Sequence, residues 1–240
     1  MIEVHSLSVQ FGGVRPLDSL TVSLEGRIVG IVGPNGAGKT TLLNVMSGFV
    51  TPASGRIAVD GTDIGSMAPH QRSRWGIRRT FQTEQVSEST SVQDHVAVLL
   101  DSCNLTKTER QAAIGRALEL TGLTGFASAP SGTLNSYQRR MTELARAVVG
   151  KTRVIMMDEP AAGLSEAESV RFRSVLQQIP EATGALVLLI DHDVELISAV
   201  CERTMVLDFG RLIAWGPTAQ VLEDPMVRAA YLGTEDVVAQ

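Results

Sequence analysis

The sequence predicts an α/β fold in which a largely parallel sheet is covered by helices, an antiparallel β segment opens the chain and a block of helices interrupts it. Three observations carry this. The apolar run Ile28-Val29-Gly30-Ile31-Val32 passes through Gly33-Pro34-Asn35-Gly36-Ala37-Gly38-Lys39-Thr40-Thr41 into the amphipathic run Leu42-Leu43-Asn44-Val45-Met46, which reads as strand, glycine-rich loop and helix. Beyond Gly150 strand and helix patterns alternate, and strands as apolar as Val154-Ile155-Met156-Met157 belong in a sheet covered on both faces. From about residue 83 to residue 150 the pattern is helical.

The elements follow in order. Ile2 to Phe11 alternates apolar and polar residues for much of its length, as a half-buried strand does, and Gly12-Gly13 breaks it. A second alternating run, Leu20 to Leu24, leads through Glu25-Gly26 into the strand before the glycine-rich loop. The helix after the loop ends near Gly48, Thr51-Pro52-Ala53-Ser54-Gly55 is turn chemistry, and Arg56 to Gly61 reads as a short strand closed by a turn. In the helical block, Ser91-Val92-Gln93-Asp94 and Thr106-Lys107-Thr108-Glu109 each fit a capping box. The second helix there carries Ile114, Ala117, Leu118 and Thr121 on one face and stops at Gly122, and a third spans Tyr137 to Val149. Next come the strand Val154 to Met157, a helix announced by Ser165-Glu166-Ala167-Glu168, the strand Ala185 to Ile190 and a helix from Asp193 to Cys201. Met205 to Ala214 reads as a hairpin turning at Phe209-Gly210, with helical patterns beyond it.

With 240 residues, 44% of them hydrophobic, the chain can bury a full core and is most simply one domain. In that division residues 1–82 and 150–240 form the core with its β segment, and residues 83–149 form a helical subdomain. The net charge of −5 provides no general basic field for DNA or RNA. The start lacks a basic segment followed by an apolar stretch and cleavage site, and the longest apolar runs are too short to span a bilayer. Any membrane role is therefore expected to be peripheral. Cys103 and Cys201 match no metal-ligand spacing and are expected to be reduced and structural.

The loop from Gly33 to Thr41 carries the first chemistry. Glycines let successive N–H groups turn inward toward phosphate oxygens, and the helix start adds partial positive charge. In this pattern Lys39 reaches the β/γ-phosphates and Thr40 ligates Mg²⁺. The chain holds only three lysines, Lys39, Lys107 and Lys151, among 21 basic residues, so a lysine here marks a place where a compact ammonium is needed and a guanidinium fork does not fit. Asp158 and Glu159 end an apolar strand, at the sheet edge where α/β proteins bind ligands. Before Pro160 alone they would read as a turn-initiating pair; after a phosphate loop, Asp158 is expected to hold Mg²⁺ and Glu159 to polarise a water for attack on the γ-phosphate. His192 follows another strand of the same kind and is expected to contact the γ-phosphate.

Together these residues resemble the ATP-binding-cassette (ABC) family of ATPases over essentially the whole chain. In order, the sequence is similar to the Walker A loop at Gly33 to Thr41, the Q-loop at Gln82, the Walker B strand at Val154 to Asp158 with Glu159, the D-loop at Ala161-Ala162-Gly163-Leu164-Ser165 and the switch histidine at His192. The resemblance implies a P-loop NTPase with a RecA-like core, an N-terminal antiparallel β subdomain and an inserted helical subdomain. It implies ATP and Mg²⁺ as ligands, Thr40, Gln82 and Asp158 around the metal, and Glu159, His192, Gln82 and Lys39 in the hydrolytic site. It also implies Phe11 against the adenine ring, for which a phenyl face serves as well as a tyrosine. Within the family the sequence looks most like subunits that power branched-chain amino acid import, through Ile31 to Thr41, Arg79-Thr80-Phe81-Gln82, Asp158 to Leu164 and Tyr231-Leu232-Gly233. Urea or amide importers and some lipopolysaccharide-export ATPases share several of these patterns.

One departure stands out. The family's signature Leu-Ser-Gly-Gly-Gln aligns with Leu134-Asn135-Ser136-Tyr137-Gln138, and Arg139, Arg140, Glu143, Ala145 and Arg146 keep the expected register toward Asp158. Both glycines are gone, and a tyrosine at the second puts a ring where backbone N–H groups approach a phosphate, although the Asn135 amide can still donate. The family pairs two cassettes head to tail, each phosphate loop facing the other's signature, so Asn135, Ser136, Tyr137 and Gln138 would act on a partner's ATP. A heterodimer with an intact partner is the expected assembly, docked on the cytoplasmic face of the membrane against two permease subunits and served indirectly by a substrate-binding protein, with no nucleic acid. A soluble cassette acting in translation or DNA repair is opposed by the acidic balance and the lack of an arm or long coiled-coil insertion. A regulatory module without turnover is favoured by the altered signature and opposed by Glu159 and His192.

Overall fold

A computed structural model describes residues 1–81, 85–101 and 103–229 of the chain. Along it run β1 (Ile2–Phe11), β2 (Val14–Leu24), β3 (Ile28–Val32), α1 (Lys39–Ser47), β4 (Ser54–Val59), β5 (Thr62–Asp63), α2 (Pro69–Trp75), β6 (Ile77–Arg79), α3 (Val92–Ala97), α4 (Lys107–Leu120), α5 (Ser136–Val148), β7 (Val154–Asp158), α6 (Glu166–Thr183), β8 (Leu186–Ile190), α7 (Val194–Val200), β9 (Arg203–Asp208), β10 (Arg211–Pro217), α8 (Thr218–Glu223) and α9 (Pro225–Val227). The chain divides into two compact units, Met1–Arg72 with Leu188–Gln240, and Ser73–Val187. Among the described residues no helix is long and apolar enough to cross a membrane.

The first unit opens with an antiparallel sheet in the order β2-β1-β4-β5. Its alternation shows in β1, where Ile2, Val4, Leu7 and Val9 are buried. The slip from even to odd positions coincides with the register shift between Val4 and Leu7, where Ser6 takes a left-handed φ of 44°. The strand β3 is buried at all five positions and pairs in parallel with β9, which turns back antiparallel into β10. A strand buried on both faces needs no alternation, which explains its continuous apolar run.

One buried cation ties this unit together. Arg72 is 6% exposed, and its guanidinium donates to the carbonyls of Val45 and Met46 at the C-terminal end of α1, to Met67 (2.9 Å) and to Gly65 (3.4 Å). It places positive charge at the negative pole of the helix whose other end opens the glycine-rich loop. Burial lowers the pKa of the group, as expected for a charge compensated mostly by dipoles. Replacing Arg72 with Met is expected to leave those carbonyls short of donors and to cost about 2–4 kcal/mol in urea unfolding. A loss below about 0.5 kcal/mol would show that the carbonyls find other partners.

The second unit pairs β6 with β7 in parallel and holds the helical block. α5 buries Met141, Leu144, Ala145 and Val148, a helical stripe, and α4 buries Ile114, Ala117 and Leu118. Thr106 and Glu109 form the expected reciprocal cap of α4. Ser91 caps α3 by accepting from Asp94 N–H, but no reciprocal bond from the Asp94 side chain to the Ser91 N–H forms; aspartate is one methylene shorter than glutamate. Three elements were not expected from the sequence: β5, α2 and β6 are two, seven and three residues long, and the charged Pro69-His70-Gln71-Arg72-Ser73-Arg74-Trp75 has no apolar stripe. Cys103 is exposed and Cys201 buried, where burial and the Asp191 charge push its thiol up to about 12.

Candidate functional site

The glycine-rich loop begins at the C-terminal end of β3, in the first unit. Gly33 and Gly38 hold φ of 146° and 103°, a region costly for any residue with a side chain. Space forbids one as well: a Cβ on Gly33 would lie 2.0 Å from the Leu207 carbonyl oxygen, and one on Gly38 2.2 Å from that of Pro16. The backbone of β9 and β2 thus presses directly on the loop. Ala37 N–H donates to Pro34 O (3.1 Å) inside the loop, while Ala37 O accepts from Gly210 N–H (3.0 Å) in the β9–β10 turn.

Lys39 is 8% exposed, with Nζ donating to Gly33 O (2.6 Å) and Pro34 O (2.9 Å), so its ammonium is curled back under the loop. Asn35, Gly36 and Thr40 are exposed, Pro34 and Thr41 partly so. The start of α1 shows what the loop fits. Helices α4, α5 and α7 begin on Thr106, Asn135 and Asp193, whose side chains accept a first-turn N–H. Gly38, which begins α1, has no side chain, so the first-turn donors keep their capacity for an outside acceptor. Backbone donors, a buried ammonium and the positive helix pole suit a polyphosphate, and the exposed Thr40 hydroxyl is available to a phosphate-bound Mg²⁺.

Two further expected residues lie in this unit. Phe11 closes β1 opposite Val14 and is 54% exposed, leaving a ring face for a stacking partner. His192 is exposed and follows β8 between two carboxylates with structural work: buried Asp191 accepts from Asp193 N–H (3.0 Å), and Asp193 caps α7 through Leu196 N–H (3.0 Å). Those bonds fix the backbone on both sides of the imidazole.

The second unit holds Asp158, Glu159 and the signature stretch. Asp158 ends β7, buried, and its Oδ2 accepts from the Arg79 guanidinium at 3.1 Å. Glu159 follows at a φ of 51°, where a non-glycine residue is uncommon and where strain often accompanies function. Arg140 of α5 holds the next turn, donating to the carbonyls of Pro160 (2.6 Å) and Ala162 (2.7 Å). Farther along α5, Glu143 is 2% exposed and accepts from Gln85 N–H (2.8 Å), while Arg146 donates to Gln85 O (3.1 Å). Register alone placed Arg140, Glu143 and Arg146 on this helix. Their loop-holding bonds span 20 to 61 residues of sequence, and no local signal reports them.

Asn135 begins α5 with a reciprocal cap: its Oδ1 accepts from Gln138 N–H (2.8 Å), and Gln138 Oε1 accepts from Asn135 N–H (3.1 Å). The cap occupies the Asn135 oxygen and one helix donor, so this residue presents its NH₂ group outward. Ser136 is exposed. Tyr137 is partly buried near Arg171 and Glu168, and that burial pushes its phenol above the usual range. Gln82 and Tyr231-Leu232-Gly233 lie outside the described residues.

The ABC transporter family model matches residues 17–162. The chain is 34% identical to the high-affinity branched-chain amino acid transport ATP-binding protein BraF of Pseudomonas aeruginosa, over 97% of this chain and 98% of that protein. It is 32% identical to the lipopolysaccharide export system ATP-binding protein LptB of Escherichia coli K12, over 98% of each. Among solved structures it is similar to the ADP conformation of an ATP-binding cassette of an ABC transporter, with a TM-score of 0.83, 26% identity, and coverage of 97% of this chain and 98% of that one.

Proposed function

The chain belongs to the ABC transporter family and is an ATP-hydrolysing subunit of a transporter; from that premise we propose that it energises import of branched-chain or other amino acids through two membrane permease subunits supplied by a substrate-binding protein. The observation that carries the nucleotide chemistry is the phosphate cradle, in which α1 starts on an uncapped glycine above the buried Lys39 ammonium. The amino-acid reading rests on the likeness to BraF along nearly the whole of both chains.

In this reading the loop N–H groups and Lys39 hold the phosphates of ATP, and Phe11 stacks on the adenine. Thr40, Gln82 and Asp158 are the residues that would hold Mg²⁺, which would neutralise phosphate charge. Glu159 takes a proton from water as that water attacks the γ-phosphorus in line; the bond to the bridging oxygen breaks, and ADP and phosphate leave. His192 contacts the γ-phosphate. ATP binds the closed cassette pair better than the open one, and that difference in affinity moves permeases docked on the cytoplasmic face.

The partner cassette is a different chain in this proposal, because the stretch Asn135 to Gln138 has lost both signature glycines. Mixing the purified chain with the cassette encoded beside it is expected to raise ATPase activity at least about tenfold above either alone. Full activity of the isolated chain as a homodimer would refute the mixed pair. Proteoliposomes containing both cassettes and the neighbouring permeases, given the neighbouring substrate-binding protein, are expected to accumulate leucine only with ATP. The whole-length likeness to LptB supports a second reading, lipopolysaccharide-type export, and absence of amino-acid uptake in active proteoliposomes would favour it.

A further inference from the structure

The pair formed by Arg79 and Asp158 is buried, with side chains 9% and 8% exposed and Arg79 NH2 3.1 Å from Asp158 Oδ2. The two belong to adjacent parallel strands, with Arg79 in register with Met156 and Thr80 N–H donating to Met156 O at 2.9 Å. The other residues of β7, Val154 to Met157, are all buried and apolar. A buried ion pair of this kind is a weak source of stability, since desolvation offsets most of the attraction. The guanidinium also lies 5.3 Å from the centroid of the Phe81 ring, and desolvation holds its pKa below the usual arginine range. Its bond engages Oδ2 alone and leaves Oδ1 as the second acceptor of the carboxylate.

We propose that Arg79 is a positioning residue that holds and charge-balances the Asp158 carboxylate from the protein side, so that Mg²⁺ binding must work against a resident cation. The proposal rests on the reading of Asp158 as a metal carboxylate. Arg79 fixes Oδ2, and Oδ1 is the oxygen that would remain for a metal ion. Each positive charge weakens the hold of the other on the shared carboxylate. On the proposed reading the carboxylate therefore resists a metal ion alone and would accept one that arrives with a nucleotide. The same coupling runs in reverse: a cation at Asp158 would loosen Arg79, the last residue of β6.

The test follows ADP binding to the full chain by calorimetry across a Mg²⁺ titration, with thermal unfolding in EDTA and in Mg²⁺ plus ADP. R79Q is expected to respond at about tenfold lower Mg²⁺ than the wild type, and R79K to stay within about twofold of it. R79Q is also expected to melt earlier in EDTA and to recover more than the wild type does when Mg²⁺ and ADP are added. An unchanged or raised Mg²⁺ midpoint, with equal losses of melting temperature in both conditions, would leave Arg79 a purely structural residue and overturn the proposal. In the unaltered chain the Arg79 Nε–H nuclear magnetic resonance signal is expected to move when Mg²⁺ joins the ADP complex, and a stationary signal overturns the proposal without any variant. D158N separates the two readings. If D158N keeps the wild-type Mg²⁺ response, Asp158 is not the metal carboxylate; if it loses that response while R79Q matches the wild type, only the role of Arg79 fails.

Discussion

E159Q is expected to bind ATP as the wild type does and to hydrolyse it about 10²–10⁴-fold more slowly. An amide has the size and shape of the carboxylate but cannot take a proton from the attacking water. The backbone at this position should not object, since Gln meets the same left-handed φ of 51° that Glu already occupies. Hydrolysis by the mixed cassette pair and nucleotide binding, measured separately, give the answer, and the variant pair is expected to accumulate as a closed, ATP-loaded dimer in gel filtration. Turnover equal to that of the wild type would remove Glu159 from the role of base.

G38A is expected to abolish ATP binding, with at least a hundredfold loss of affinity, and to destabilise the first unit by about 2–4 kcal/mol. Two costs coincide there: a φ of 103° that an alanine tolerates poorly and a Cβ 2.2 Å from the Pro16 carbonyl oxygen, which belongs to β2 and cannot swing aside as a side chain could. Gly36 provides the comparison within the same loop. Its φ is 82°, but a Cβ there meets nothing within 4 Å, so G36A should show only the conformational cost of about 1–2 kcal/mol. Equal nucleotide affinity in G38A and G36A would mean that β2 does not hold the loop in its binding shape.

Much of the architecture was legible because its signals are local. Alternation marked β1 and the end of β2, caps marked the starts of α4 and α6, and the glycine-lysine loop marked the junction of β3 and α1. Asp158 and Glu159 were legible as the end of an apolar strand, and the Phe209-Gly210 turn as a hairpin. The short elements between Thr62 and Arg79 were not, since two to seven residues are too few to show a period. The helix that carries the signature stretch was legible as a helix, and the structure at its start was not. Nothing local says that Asn135 spends its oxygen on capping α5, or that Tyr137 turns partly into the protein.

By itself the sequence determined the order of the longer strands and helices, the loop from Gly33 to Thr41 and the identity of the acidic, basic and aromatic groups available for nucleotide chemistry. These depend on steric and hydrogen-bonding preferences acting over a few residues. Only the tertiary structure decided which groups hold them in place: Pro16 against Gly38, Arg72 under α1, Arg79 on Asp158, and Glu143 with Arg146 on Gln85. Contacts across 22 to 79 residues arise when whole strands and helices pack, and local pattern cannot report a neighbour that packing alone brings near.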